Sequence, residues 1–367
     1  MVRSISIFVS LVIFTGCLTV TAPAFSAQAT PEDFFRRWDR NRDGVLTPNE
    51  LPSRLRRIFP RVDRNGDGKV TPAEHRAGPV TDSGQTAKVN SRRIKADQVI
   101  RIGQRWYQEP DGFSRQALVR LSKQTQKRHP VVIIFHGNGG TAEGSLARWQ
   151  WLKDYILVAP QGYQRSWNVY GERSAAPDVE FFRLLIQEIR RTTPTADLDR
   201  VSLIGSSNGS GFVQRLMIEV DERPFQKVIL LVAGLIDQQY HDGHFWAPSQ
   251  STRIYDRQRT PKPGVQLIYV HGTADRVVPY TGGYRSGRFL HLGAQETAWH
   301  WATAFGYSGA ALSDRDGKRV SRGIFSYAYP DAGVTHYKLD GAGHGVGQYS
   351  AQVHRIVQEF LGSNTGE

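Results

Sequence analysis

Gly205-Ser206-Ser207-Asn208-Gly209, preceded by Val201-Ser202-Leu203-Ile204, is the stretch on which the reading of this chain turns. A short apolar run predicts a buried strand, and Gly211 to Ile218 behind the pentapeptide reads as a helix. G-x-S-x-G between them predicts a sharp strand-to-helix turn that holds Ser207 at its apex. The flanking glycines suit a turn in which bulkier residues would clash. A serine hydroxyl is a poor nucleophile until a histidine takes its proton and a carboxylate orients that histidine. The pentapeptide alone is equally compatible with a plain Ser/Gly loop, so the rest of the chain must supply the partners.

It supplies both, in the order Ser, Asp, His. Val265 to Val270 predicts a buried strand leading into His271-Gly272-Thr273-Ala274-Asp275. Asp275 then lies at a strand's C-terminal edge, where open α/β sheets place their chemistry. Leu339-Asp340-Gly341-Ala342-Gly343-His344-Gly345 sets His344 in a glycine-flanked loop before a last helix, Ala351 to Phe360. Each interval leaves room for about one or two strand–helix units. Asp340 is a second candidate acid, but it lies too close to His344 in sequence to occupy a preceding strand end. His136 and His271 each open a His-Gly turn and read as loop-shaping residues. His291, His300, His336 and His354 read as structural or surface histidines. An acyl-transfer site also needs oxyanion donors. The strand Pro130 to Phe135 runs into His136-Gly137-Asn138-Gly139-Gly140-Thr141. One donor is expected from the Asn208 N–H, and the other from Asn138 or Gly139.

On these stretches, residues from about Gln98 to Leu361 resemble the polyhydroxybutyrate depolymerase/feruloyl esterase family of α/β-hydrolases. Ala159-Pro160-Gln161-Gly162 with Trp167-Asn168, Asp178 to Phe182, Val278-Pro279-Tyr280 and Glu296 to Trp301 carry the likeness further. Asn208 and Ser210 stand where that family often has Ala and Gly, and Val346-Gly347 replaces a common Trp-Pro. The resemblance implies an α/β-hydrolase fold with a mainly parallel sheet, acting on esters. Strands are expected near 98–103, 117–121, 130–135, 155–159, 200–204, 227–233, 265–270 and 334–339, with Ile236 to Gly264 as a loop or lid excursion. Trp167, Trp246, Trp299 and Trp301 are candidates for stacking on substrate, although tryptophans are more often buried.

A second pattern lies near the N-terminus. Asp39, Asn41, Asp43, Val45, Thr47 and Glu50 occupy positions 1, 3, 5, 7, 9 and 12 of an EF-hand loop, and Gly44 the sharp turn at position 6. Asp63, Asn65, Asp67, Lys69, Thr71 and Glu74, with Gly68, repeat the template. The pair predicts a small helical domain binding Ca²⁺ structurally, its loops joined by a short β-bridge through Val45-Leu46 and Val70. A dockerin-like module also repeats a Ca²⁺ loop. The position-12 Glu and the helical pattern before the first loop favour EF-hands.

Composition fits this division. Met1 to Arg3 and the apolar run from Ile5 to Val20 predict an export signal over 1–27. The EF-hand pair follows at 30–76, a linker at 77–91 and the catalytic domain at 92–367. The sole cysteine, Cys17, falls in the signal, so the mature chain forms no disulfide and has no catalytic thiol. Phe14 to Cys17 loosely matches a lipoprotein box, which makes a lipid anchor the minority alternative to a secreted or periplasmic protein. The net charge of +13 comes from scattered basic residues without a nucleic-acid-binding signature. No specific nucleic-acid partner and no transmembrane span after signal removal are expected. The sequence thus predicts a serine esterase acting on a possibly polymeric ester, with feruloylated or acetylated polysaccharide and polyhydroxyalkanoate all compatible. The alternatives are a serine oligopeptidase and a non-catalytic, calcium-dependent polymer-binding protein.

Overall fold

Strands of unbroken apolar residues must be covered on both faces. Four largely apolar runs, at 131–135, 156–160, 201–204 and 228–231, set this architecture. In chain order the elements are β1 (Gln98–Trp106), β2 (Glu109–Arg120), β3 (His129–Phe135), α1 (Ala142–Trp149), β4 (Ile156–Pro160), α2 (Asp178–Thr192), β5 (Ala196–Ser206), α3 (Asn208–Glu219) and β6 (Lys227–Leu231). Then come β7 (Tyr240–His241), β8 (His244–Pro248), β9 (Tyr255–Arg259), β10 (Gln266–Gly272), β11 (Gly283–Arg285), β12 (Phe289–His291) and α4 (Ala294–Ala304). The chain closes with β13 (Lys318–Ser321), β14 (Ile324–Tyr329), β15 (Val334–Leu339) and α5 (Ser350–Gly362). The computed structural model describes residues 39–51, 59, 63, 67–71, 96–124, 127–170, 172, 174–249, 254–285 and 289–362. The chain divides into two compact units, Met1–Asp82 and Ser83–Glu367.

In the larger unit ten strands form one sheet in the order β1-β2-β4-β3-β5-β6-β10-β15-β14-β13. The run from β4 to β15 is parallel, and the strands outside it pair antiparallel. This is the α/β-hydrolase fold. From β3 the chain steps to β4 on one side and then to β5 on the other, so the order reverses at β3. A crevice opens at the carboxyl ends of strands around such a reversal, and both the β3 and β5 turns face it.

Alternation along the strands divides the core into two layers. Val131, Ile133 and Phe135 join Leu203, Val228 and Leu267 under α2, α3 and α4. Val132 and Ile134 join Leu157, Ile204, Ile229 and Ile268 under α1 and α5. Helix α2 buries Val179, Phe181, Phe182, Leu185, Ile186 and Ile189, one face at helical spacing. Its Asp178 and Glu180 lie in the first turn and Arg190 and Arg191 in the last, which complements the helix dipole. Burying each such side chain contributes roughly 1.5–3 kcal/mol before entropy is counted. No helix among the described residues is long and apolar enough to cross a membrane.

Three regions differ from the sequence expectation, one of them the short two-stranded sheet β11–β12. Residues 236–264 hold a three-stranded antiparallel sheet, β7-β8-β9. Phe245 and Ala247 on β8 are buried on either side of a half-buried Trp246, an alternation carried by too few residues to stand out. The edge hairpin β13–β14 was not expected either, because Lys318, Arg319 and Val320 are all exposed.

In the smaller unit, Leu46 and Val70 exchange two backbone hydrogen bonds of 2.9 and 2.8 Å and are buried with Leu51 and Phe59. This is the expected bridge between loops. Gly44 and Gly68 take φ of 82° and 80°, the left-handed turn that position 6 requires.

Candidate active site

Ser207 is the residue between β5 and α3. Its φ of 54° and ψ of −120° lie outside the ordinary regions for an L-residue. The surroundings enforce that conformation. A Cβ on Gly205 would stand 2.6 Å from Gly209 O, and one on Gly209 2.2 Å from Phe135 O. The Ser207 N–H is tied to Leu231 O at 2.9 Å, and the buried Ser210 hydroxyl bonds both the carbonyl and the N–H of Leu231 at 2.8 and 3.0 Å. The elbow is thereby clamped to β6.

The structure brings Ser207, His344 and Asp275 together. His344 Nε2 lies 2.8 Å from Ser207 Oγ, and His344 Nδ1 lies 2.8 Å from Asp275 Oδ2. The carboxylate only accepts, so Nδ1 carries the proton and the Nε2 lone pair faces the hydroxyl. The loops bearing Asp275 and His344 are latched together. Ala274 N–H donates to Ala342 O at 2.9 Å and Gly341 N–H to Thr273 Oγ1 at 2.8 Å. A Cβ on Gly272 would stand 2.2 Å from Ala342 O, so only glycine permits that approach. Asp340 stays outside the group: its carboxylate lies 3.9 Å from Lys338 Nζ.

Asp275 receives more than one histidine. Its Oδ1 accepts the Val277 and Val278 N–H groups at 2.8 and 2.9 Å, and its Oδ2 also lies 3.2 Å from His271 Nε2. His271 Nε2 faces a second acceptor, Val278 O, at 3.1 Å, so it carries the ring proton. Its Nδ1 then accepts the buried Tyr269 hydroxyl at 2.5 Å. Burial pushes the Asp275 pKa up. The hydrogen bonds from His271 and His344 and the charge of His344 outweigh it and hold the carboxyl well below the usual range. Burial pushes His291 down to about 4, with His271 and His344 adding to the effect. The sequence marked His271 only as a loop-shaper; Asp275 lies four residues on in the same turn, but that spacing alone does not show that the turn folds the ring back onto the carboxylate.

The loop after β3 holds the second part of the site. Gly137 packs on the elbow, where a Cβ would lie 3.3 Å from Ser206 O. The Gly139 N–H donates to Arg165 O at 2.8 Å. The Asn138 N–H has no hydrogen-bond partner among the described residues. Asn208 is the first residue of α3, where the helix provides no internal acceptor for an N–H. His136 is structural: its Nε2 accepts from Gly162 N–H at 3.0 Å, and burial lowers its pKa. Trp167 and Trp301 are fully buried, the former stacked on Phe212 with ring centroids 5.1 Å apart, so neither is open to a ligand. Trp246 and Trp299 are half-buried.

In the smaller unit Asp39 accepts from Asp43 and Gly44 N–H at 3.2 and 2.9 Å, and Asp43 from Val45 N–H at 3.0 Å. Glu50 accepts from Arg40 and Thr47 N–H at 3.1 and 2.8 Å. In the second loop Asp63 accepts from Gly68 N–H and Asp67 from Lys69 N–H, both at 2.9 Å. Asn65 and Glu74, like the export-signal and linker segments, lie outside the described residues. No group of three or more His, Cys, Asp or Glu among the described residues is gathered as a metal set. The donor chemistry nonetheless fits Ca²⁺: Asp39, Asn41, Asp43, the Val45 carbonyl, Thr47 and Glu50 offer only oxygen, around a left-handed glycine.

The family model described as EF hand matches residues 32–52 and 55–75. No curated protein matches the chain. Among solved structures the chain is similar to an acetyl xylan esterase from Aspergillus awamori, with 14% identity, 72% of this chain and 99% of that one covered, and a TM-score of 0.48. It is similar also to a putative dienelactone hydrolase from Klebsiella pneumoniae subsp. pneumoniae (14% identity, 73% and 100% covered, TM-score 0.43). A Bacillus cereus carboxylesterase gives 13% identity, 67% and 93% covered and a TM-score of 0.41.

Proposed function

We propose that this chain is a serine ester hydrolase of the polyhydroxybutyrate depolymerase/feruloyl esterase type, exported and carrying a Ca²⁺-binding EF-hand pair. The observation that carries the reading is the hydrogen-bonded chain from Ser207 through His344 to Asp275, with 2.8 Å at each step. The Ser207 hydroxyl attacks an ester carbonyl carbon as His344 Nε2 takes its proton. Asp275 holds the Nδ1 proton and stabilises the imidazolium. The oxyanion rests on the Asn208 N–H and the Asn138 N–H; Gly139 drops out as first donor because its N–H is spent on Arg165. His344 returns the proton to the leaving alcohol, and the acyl-enzyme is hydrolysed by a water that His344 activates in turn. Acyl groups on polysaccharide, feruloyl or acetyl, and polyhydroxyalkanoate are the substrate classes, on the strength of the sequence resemblance. The loops 39–50 and 63–74 hold Ca²⁺ in a structural or tethering role, since the acyl-transfer chemistry itself needs no metal.

A fluorophosphonate that labels active serines tests the nucleophile. It is expected on Ser207, and Ser207→Ala is expected to lower kcat on p-nitrophenyl acetate by at least about a thousandfold with the fold retained. Ser206→Ala is expected to stay within about threefold of wild type. Label on Ser206 or Ser210, or hydrolysis of peptides without esters, overturns the reading.

A further inference from the structure

The two proposed oxyanion donors sit on loops from different strands, the Asn138 N–H after β3 and the Asn208 N–H after β5. Their spacing must be held to a fraction of an ångström to stabilise a developing charge. A third segment, residues 161–168, touches both. Among the bonds that fasten it to the β3 loop are Gly162 N–H on His136 Nε2 at 3.0 Å, the Trp167 indole N–H on His136 O at 2.9 Å, and Arg165 O under the Gly139 N–H at 2.8 Å. Toward the elbow its polar contacts go to the Asn208 side chain, while further along α3 the Arg215 guanidinium donates to Asn168 O. Asn208 Oδ1 accepts the Trp167 N–H at 2.7 Å, and Asn208 Nδ2 donates to Trp167 O at 3.0 Å and to Glu172 Oε1 at 3.2 Å. The amide has one satisfied orientation. Flipped, it would set its NH₂ against an N–H and its oxygen against two acceptors.

Resting on the serine-hydrolase reading, we infer that the Asn208 side chain is a positioning residue that sets the distance between the two halves of the oxyanion site. Its backbone N–H is one donor. Its carboxamide grips Trp167, whose segment in turn holds Gly139 through Arg165 and so fixes the adjoining Asn138 N–H. Glu172 supports the grip, since its other oxygen accepts the Val169 and Tyr170 N–H groups at 3.1 and 2.5 Å. Alanine at 208 keeps the backbone N–H and suits a helix start but removes the grip on Trp167 next to the donor, leaving the segment held to α3 only further on, at Asn168.

The test compares Asn208→Ala with wild type on p-nitrophenyl acetate and with phenylboronic acid, whose tetrahedral serine adduct mimics the charged intermediate. The expected result is a kcat lower by about tenfold to a hundredfold, KM within about twofold, and boronate affinity weakened by the same factor as kcat/KM. A kcat within twofold of wild type overturns the inference. So does a raised KM with unchanged kcat, which makes the segment a substrate-binding element instead. Glu172→Gln leaves the elbow and both donors in place and covers the case in which Asn208→Ala does not fold. It is expected to lower kcat a few-fold at unchanged KM, and no change there overturns the inference. Failure of the underlying reading is separate: it appears as Ser207→Ala retaining activity, whatever residue 208 does.

Discussion

At the scale of single residues, the site depends on keeping one carboxylate charged and still. Asp275 accepts four hydrogen bonds, and its pKa lies well below the ordinary range. It therefore stays ionised wherever a histidine titrates. The acid limb of kcat/KM is expected to carry no ionisation of Asp275, and a second ionisation in a pH–rate profile would contradict this. Asp275→Asn favours the wrong tautomer of His344 and is expected to cut kcat by about 10⁴ with the fold retained. Asp340→Asn is expected to stay within about twofold, because that carboxylate faces Lys338 instead. Reversed effects would move the acid to Asp340. The three residues Ser207, Asp275 and His344 were legible because each sits in a glycine-flanked turn behind an apolar run. His271 and the Asn208 carboxamide were not legible in those roles. His271 meets Asp275 within one turn whose folded path the sequence does not give, and Asn208 meets Trp167 across 41 residues of chain.

At the scale of elements, the parallel strands were readable because burial on both faces leaves apolar runs that little else in a soluble chain produces. The exposed hairpin β13–β14 carries no such mark, and β8 is too short for its alternation to count. The turns are where sequence and packing meet most closely. A Cβ at Gly209 would stand 2.2 Å from Phe135 O and 2.7 Å from His136 O, both backbone atoms of the adjoining strand end. Gly209→Ala must push β3 and α3 apart and is expected to destabilise the larger unit by about 3 kcal/mol or more. Gly345 flanks His344, yet a Cβ there meets nothing within 4 Å. Gly345→Ala is expected to leave stability within about 0.5 kcal/mol of wild type. Urea unfolding of the two variants measures the contrast, and equal midpoints would show that the elbow tolerates more than its geometry allows.

At the scale of the whole molecule, acid should weaken the larger unit through buried histidines. His336 is fully buried between Tyr269 O and the Tyr280 hydroxyl, and burial pushes it down to about 3. Its folded pKa lies below the unfolded value of about 6.5, so the unfolded chain binds the proton first. The stabilisation is present above about pH 6.5 and is lost as pH falls toward about 3, roughly 2 kcal/mol between pH 7 and 5 from this residue. Urea midpoints that stay flat across that window would refute it. The smaller unit responds to a different variable. If its loops hold Ca²⁺ as proposed, the cation stabilises the folded unit, so chelation is expected to lower the melting temperature of this unit. Glu50→Gln and Glu74→Gln should each remove one binding event in Ca²⁺ calorimetry. Ser207, Asp275, His344, Asn138 and Asn208 all belong to the sheet unit. A chain beginning near Ser91 is therefore expected to keep at least about half its turnover on p-nitrophenyl acetate, with or without chelator. Ca²⁺ affinity weaker than millimolar would remove the metal assignment. Loss of small-ester turnover on chelation would show instead that metal binding in the first unit reaches the chemistry of the second.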